Sequence, residues 1–219
     1  EVMDAIKDAG YQVLDLAHNH ILDSQIEGVV STADAIEKAG MTPIGVYTHE
    51  PRDKAPIVIK EVNGIKVALL AYSYGFNGIE QSISQEDYNR YLSDLDEDKM
   101  KAEIERAEKE ADITIIMPQM GVEYQIEPTE EQKKLYHKMI DWGADIIFGG
   151  HPHVVEPAET VEKNGDKKLI IYSMGNFISN QRIETMQDVE NAKWTERGVL
   201  MDVTIKKKSG KTTIETAQA

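Results

Sequence analysis

The chain has 219 residues, 24 of them Lys or Arg and 39 Asp or Glu, a net charge of −15 with histidine neutral. That field repels phosphate backbones and no basic stripe interrupts it, so composition argues against nucleic acid as a partner. A 41% hydrophobic and 29% charged chain is globular in type, the lack of cysteine removes disulfides, thiolate metal sites and cysteine nucleophiles, and no apolar run reaches the roughly 18–20 residues of a membrane span.

Helical and strand periods alternate along the chain. Val2, Ile6 and Ala9 share a helical face, and Gly10 is placed to end that helix. The opening Glu1-Val2-Met3-Asp4 has neither the basic nor the apolar region of a signal peptide. Tyr11–Ala17 is strand-like, Ile26–Ala39 is helical with Gly40 behind it, and Met41–Tyr47 is again a strand, a β-α-β crossover that implies parallel pairing. Pro56–Lys60 and Ile65–Tyr72 flank Asn63-Gly64, which predicts a hairpin. Gly75 to Asp96 is polar and reads as an irregular surface excursion.

Leu95–Glu110 is a charged helix, and Ile113–Met117 is a buried strand that Pro118 is expected to stop. Thr129–Trp142 is helical, with Gln132 in capping-box position and Gly143 at the end. Ile146–Phe148, Leu169–Tyr172 and Val199–Ile205 add strands, and Thr212–Glu215 pairs back across Ser209-Gly210, so the lysines 206–208 and 211 form a solvated tip. The fold class is α/β, a layered mixed sheet flanked by helices, in one domain over residues 1–219. Such domains normally open on a central strand, whereas this chain opens on a helix; that predicts a piece of a longer, N-terminally extended protein.

Three polar clusters each follow a predicted strand, where open α/β sheets place ligands. They are His18-Asn19-His20 with Asp23, Gly149-Gly150-His151-Pro152-His153, and Ser173-Met174-Gly175-Asn176-Phe177. Four of the six histidines fall in the first two. His-x-His on an extended backbone points two imidazoles the same way, which suits metal ligation and equally describes a polar loop. Asn19 is either a neutral oxygen ligand or a turn former. Ser173 lacks the Gly-x-Ser-x-Gly context of a nucleophile, and Asn176 can simply close a turn. His49 and His137, among polar neighbours, read as solvated.

Asn19-His20-Ile21-Leu22-Asp23, Gly121-Val122-Glu123-Tyr124, Trp142-Gly143-Ala144-Asp145, Gly150-His151-Pro152-His153-Val154 with Glu156-Pro157, and Tyr172-Ser173-Met174-Gly175-Asn176-Phe177 together resemble the bacterial capsule-biosynthesis proteins CapA and PgsA, linked to poly-γ-glutamate synthesis. The resemblance runs over residues 1 to 205. It implies a fold like that of the calcineurin-like metallophosphoesterases, without the family's N-terminal Gly-Asp strand. It further implies Asn19, His151 and His153 as metal ligands and His20 as the catalytic histidine, with His18, Asp23, Gln119, Glu123, Ser173 and Asn176 lining the site. In such a site two metals about 3.5–4 Å apart activate water and clamp both oxygens of an in-line displacement.

Gln119 stands where the family usually has histidine, and the segments carrying the anionic ligands are not matched. The implied cofactor is therefore a divalent metal (Mn, Mg, Zn or Ca) in an incomplete site, with the amide favouring the harder ions. By the same resemblance, the partner is the capsule polymer or its synthesis and export complex at the membrane, and the location is extracytoplasmic, attached through a segment outside this chain. Three readings stand: an accessory protein of poly-γ-glutamate capsule assembly, a metal-dependent phosphoester or polymer hydrolase, and a non-catalytic binding or scaffold module. Arg182 and Arg197, close in sequence to the last motif, are candidates for attracting a polyanion.

Overall fold

The computed structural model describes residues 2–219. Helix α1 (Val2–Asp8) leads into strand β1 (Val13–Asp15), helix α2 (Gln25–Lys38) and strand β2 (Thr42–Ile44), and β1 and β2 pair in parallel as the crossover predicts. Strands β3 (Val58–Val62) and β4 (Ile65–Ser73) form an antiparallel hairpin about Asn63-Gly64, whose φ values of 52° and 78° are those such a tight turn requires.

The polar stretch 75–96 is more ordered than its composition suggests. It holds a 3₁₀ turn at Ile79–Ser82 and helix α3 (Gln85–Tyr91), started by Ser84, whose side chain accepts from the Asp87 N–H. No residue of α3 is fully buried, so no apolar stripe announces it. Helix α4 (Glu97–Glu110) follows, capped by Asp96, then β5 (Ile113–Gln119), α5 (Glu130–Trp142) and β6 (Ile146–Phe148). The capping box between Thr129 and Gln132 is present. Strands β7 (Ala158–Lys163) and β8 (Asp166–Ile171) form a hairpin, and β9 (Asp202–Lys208) with β10 (Lys211–Gln218) forms another.

Six strands form one mixed sheet in the order β3-β4-β5-β6-β8-β7, with β4, β5, β6 and β8 parallel. Ala68 to Ser73 of β4 are all buried, as a strand covered on both faces should be. One face carries α4 and α5, whose Met100, Ile104, Leu135, Tyr136 and Met139 pack on Leu70, Tyr72, Ile116 and Ile170. The other face carries the two small sheets. Ala17 and Ile44 lie against Leu69 and Ala71, while Val203, Ile205 and Ile214 lie against Ile113, Ile146 and Leu169. Helix α2 forms an outer layer through Val29 and Ala33.

Pro118 does not stop β5. The strand continues to Gln119, which pairs with Ser73. In a parallel ladder the N and C=O of one residue face the same neighbour. Pro118 turns its C=O to the Gly150 N–H, just past the end of β6, where a missing donor costs little. The consequence is functional: β4, β5, β6 and β8 all end at one edge, and β1 delivers the 18–23 turn to the same place. Among the described residues, no helix is long and apolar enough to cross a membrane.

Candidate functional site

At that edge the structure brings the three polar clusters together, in two halves. The first half is built on Gln119, the last residue of β5, only 4% exposed. Its Oε1 accepts from the Asn19 backbone N–H at 2.6 Å and the Ser73 hydroxyl at 3.0 Å. Its Nε2 donates to Asn19 Oδ1 at 2.9 Å and His18 Nδ1 at 3.0 Å. Both N–H groups of the amide are used and its oxygen holds the Asn19 N–H, while the single Ser73 hydroxyl proton is shared between that oxygen and the Gly75 carbonyl. Asn19, 5% exposed, is fixed in turn by donating to Asn77 Oδ1 at 2.9 Å.

His20 sits farther out. Its Nδ1 lies 2.9 Å from Asp23 Oδ2, and both side chains are more than half exposed. With Nδ1–H donated to Asp23, the Nε2 lone pair is left as the acceptor. Asp23 thus orients His20; Asn77 Nδ2 lies 3.4 Å from the same Nδ1, which with its proton given to Asp23 accepts no bond from it.

The second half is the loop after β6. The sequence pattern suggested an extended His-x-His; the backbone is instead bent, with φ of 100° at His151 and 62° at His153. Positive φ in two non-glycine residues of one loop is uncommon and stores strain of order 1–3 kcal/mol each, which clusters at functional sites. Close packing beneath forces the loop's path. A Cβ on Gly149 would stand 2.0 Å from the Tyr172 carbonyl oxygen and 2.8 Å from the Tyr136 hydroxyl, so only glycine fits there.

The rings of His151 and His153 lie 6.1 Å apart. His153 Nδ1 donates to Asn176 Oδ1 at 2.9 Å, its ring stacks on Tyr124 at 5.9 Å, and its Nε2 faces Glu123 Oε1 at 3.8 Å. Asn176 is anchored by donating to Gln181 and to the Thr195 carbonyl. His151 Nδ1 is buried and has no hydrogen-bond partner. Burial pushes this imidazole down to about 4, against the pull of Glu123 and with the repulsion of His153, His18 and His20. That four-histidine coupling places both halves in one electrostatic neighbourhood. Ser173 is completely buried and its Oγ accepts from the Gly175 N–H, so it shapes the turn below Asn176 rather than presenting a nucleophile.

Tyr74 and Asn77 are not marked in the sequence, and Tyr124 enters only as the end of the Gly121–Tyr124 motif, without a role in the site. Tyr74 joins the halves: its N–H donates to the Gln119 carbonyl at 3.0 Å and its ring lies 4.5 Å from that of His151. Asn77 and Tyr124 hold Asn19 and His153. All three lie in loops after strand ends, and Asn77-Gly78, with φ of 57° and 79°, is a turn signal that could have marked the first loop. Beneath the second half, Glu156 is buried at 2% exposure; one oxygen accepts from Gln132 Nε2 at 2.9 Å and the other has no partner. Desolvation raises its carboxyl to about 7.

The expected metal ligands can be tested on this geometry. Among the described residues, no three His, Asp or Glu side chains converge closely enough to hold a metal ion. His151 Nδ1 and His153 Nε2 are available nitrogens, but Asn19 Oδ1 is already engaged by Gln119. As arranged, these donors do not fit a two-metal centre.

The whole chain superposes on part of the sulfate thiohydrolase SoxB of Thermus thermophilus, solved with glycerol, at a TM-score of 0.52 and 14% identity, covering 99% of this chain and 33% of that one. The chain thus shares its fold with part of that protein, and the architecture is the layered α/β one, a mixed sheet flanked by helices, that the sequence predicts. In sequence the chain is 34% identical over 185 residues to the capsule biosynthesis protein CapA of Bacillus anthracis, covering 83% of this chain and 43% of that protein. It is 32% identical over 182 residues to the PGA biosynthesis protein CapA of Bacillus subtilis (strain 168), covering 83% and 46%. The chain therefore spans less than half the length of these relatives. The family model described as bacterial capsule synthesis protein PGA_cap matches residues 1–181, which include both halves of the site. With that match and two relatives above 30% identity, the chain belongs to the bacterial capsule synthesis protein (PGA_cap) family.

Proposed function

We propose that this chain acts in poly-γ-glutamate capsule biosynthesis at the cell envelope, as an accessory domain that binds the polymer or its synthesis and export machinery. Residues 1–219 form one domain of a longer protein in this reading, with membrane attachment supplied by another segment. The observation that carries it is the Asn19–Gln119 amide pair at the centre of the site, in which Gln119 holds both the backbone N–H and the side-chain oxygen of Asn19. A binding site needs its surrounding loops held still, and this pair ties the loop after β1 to the end of β5. A cavity of about 410 Å³ adjoins Asn176 and is lined by Arg182 together with Glu184 and Glu196, so Arg182 would be a single point of attraction for a polyanion. Arg197 stacks over Trp194 at 4.7 Å on the wall of a neighbouring apolar cavity, a second point of contact.

The experiment is deletion of the native copy and complementation with the full-length protein, reading surface poly-γ-glutamate. Loss in the deletion strain, and rescue by the protein carrying His20→Ala but not by Gln119→Ala, is the expected pattern. Undiminished polymer in the deletion strain overturns the capsule role; failure of the His20→Ala protein to rescue overturns the non-catalytic part.

One observation favours the hydrolase reading. His151 presents a buried, unpaired and neutral imidazole nitrogen beside His153, a pair suited to a divalent metal (Mn, Mg, Zn or Ca). Under that reading Asn19 Oδ1, which keeps one lone pair beyond its bond to Gln119, would be the third donor, and His20, oriented by Asp23, would hold the proton for the leaving oxygen.

A further inference from the structure

Away from the histidines, α3, α4 and the turn at Pro51–Asp53 enclose a cavity of about 750 Å³. Arg52, Arg90, Lys99 and Arg106 all line it, an unusual gathering of cations in a chain of net −15. They are not equivalent. Arg52 is 4% exposed and fully occupied: Nε and Nη2 donate to the two oxygens of Glu103 at 2.9 and 3.2 Å, and Nη1 donates to Asp94. It is a structural ion pair.

Arg90 and Arg106 have no carboxylate within ion-pair distance among the described residues. Arg90 lies over the Tyr91 ring at 5.1 Å. Arg106 donates from Nη2 to the Ala55 carbonyl at 2.8 Å, while its Nε–H is buried with no acceptor at all. Lys99 reaches Asp94 and Asp96 only at 3.9 and 3.7 Å. The Nε of Arg106 is out of reach of any ligand, whereas its Nη1 and the guanidinium of Arg90, which line the cavity and make no hydrogen bond or ion pair among the described residues, are the donors the cavity offers to an anion.

We propose that this cavity is an oxyanion-binding site separate from the histidine cluster, taking a small molecule that carries a carboxylate or phosphate group. Arg106 and Arg90 are its anchors, and Lys99 adds charge at the side. A guanidinium matches the planar, two-oxygen face of either group, and the bond is charge-assisted. Asp53 and Glu86 also line the cavity and carry no ion pair among the described residues. They set negative charge beside the anchors, which selects a small ligand of low charge and disfavours an extended polyanion. This assignment stands whether or not the histidine cluster binds the polymer, since no lining residue of the cavity belongs to that cluster.

The test is titration of the chain with inorganic phosphate and, separately, with succinate, followed by calorimetry and by the NMR shifts of the α3 and α4 amides. Saturable binding at millimolar concentration is expected for at least one probe, weakened about tenfold or more by Arg106→Gln and by Arg90→Gln, and unchanged by His153→Asn. Binding of phosphate alone assigns a phosphorylated ligand, and binding of succinate alone a carboxylate. If Arg106→Gln fails to fold, Arg90→Gln and Lys99→Gln, altering partly exposed side chains, carry the test. No saturable binding of either probe, binding that survives the arginine changes, or binding lost in His153→Asn would each overturn the proposal.

Discussion

Gln119 grips Asn19 at two points across 100 residues of sequence, accepting from its backbone N–H and donating to its side-chain oxygen. The two residues end β5 of the main sheet and follow β1 of the small one, so the grip fastens the two sheets together at the site. It also bears on the chemistry available there, because one of the two lone pairs of the Asn19 side-chain oxygen is taken by Gln119.

Replacing Gln119 by alanine should therefore destabilise the fold, not merely alter the site. The change strands the Asn19 N–H and its side-chain oxygen in a nearly dry setting, at roughly 1–3 kcal/mol for unsatisfied groups. Urea unfolding should show a loss of about 2–3 kcal/mol, with the slope unchanged. A loss below about 0.5 kcal/mol, ordinary for a surface position, would show that water replaces the amide freely.

Much of this arrangement was legible in the sequence, because it is local. Asn63-Gly64 fixed a hairpin, Thr129 and Gln132 a helix start, and the alternation from Tyr11 to Tyr47 a parallel crossover. Strand ends carrying Asn19, His151 and Asn176 pointed to one edge because parallel strands share direction. What failed was non-local or depended on the neighbour. Whether Pro118 ends β5 depends on how far β6 extends. Helix α3 and edge strand β7 fully bury none of their residues, so neither carries an apolar signature. The burial of Glu156 contradicts its charge, and only the packed Gln132 beside it makes that tolerable.

Glu156 gives a pH signature. Its folded carboxyl titrates near 7, above the ordinary 4.5, so the folded state binds the proton more tightly than the unfolded state does. The associated stability is fully present below about pH 4.5 and is lost as pH rises to about 7, an amount of at most about 3 kcal/mol. Glu156→Gln keeps a hydrogen-bonding amide without the charge. Its stability relative to the parent should rise steadily between pH 5 and pH 8 in thermal melts. A constant difference across that range would mean that Glu156 is ionised at no cost.

His151 slopes the other way. Its folded imidazole titrates near 4, below the ordinary 6.5, so the unfolded state binds the proton more tightly. This stability is present above about pH 6.5 and disappears as pH falls towards 4. In the parent the two groups oppose each other between about pH 4.5 and 6.5, and the stability profile there should be nearly flat. His151→Asn, which tolerates the positive φ, should uncover the falling limb of Glu156. A parent profile that already falls steeply over this window would refute the opposition.

His153 should prove more than an exposed loop histidine. It donates to Asn176, stacks on Tyr124 and holds a left-handed backbone. His153→Ala removes the first two and keeps the backbone strain, so a loss of about 1–2 kcal/mol is expected in denaturant unfolding. His153→Asn, at ease with positive φ, should lose less. Equal losses in the two variants would show that the backbone is not what the residue has to accommodate.

Finally, this chain should not turn over an aryl phosphate at a useful rate with Mn²⁺, Mg²⁺ or Zn²⁺. In-line phosphoester hydrolysis through two metals needs carboxylates to balance their charge and a shared ligand to fix their separation. Here Glu123 is the carboxylate facing His153, at 3.8 Å, and the described residues bring no third charged or imidazole donor close enough to complete a metal site. Asn19, the neutral candidate, is held by Gln119. His20 can offer or take a proton at Nε2, oriented by Asp23, but a proton donor without charge stabilisation at the phosphoryl oxygens leaves the larger part of the barrier in place. The measurement compares the chain with its His20→Ala and Gln119→Ala variants across the three metals. Turnover that needs both added metal and His20 would sink this prediction. Turnover that appears only in Gln119→Ala would show that the amide grip is what keeps Asn19 from serving as a ligand.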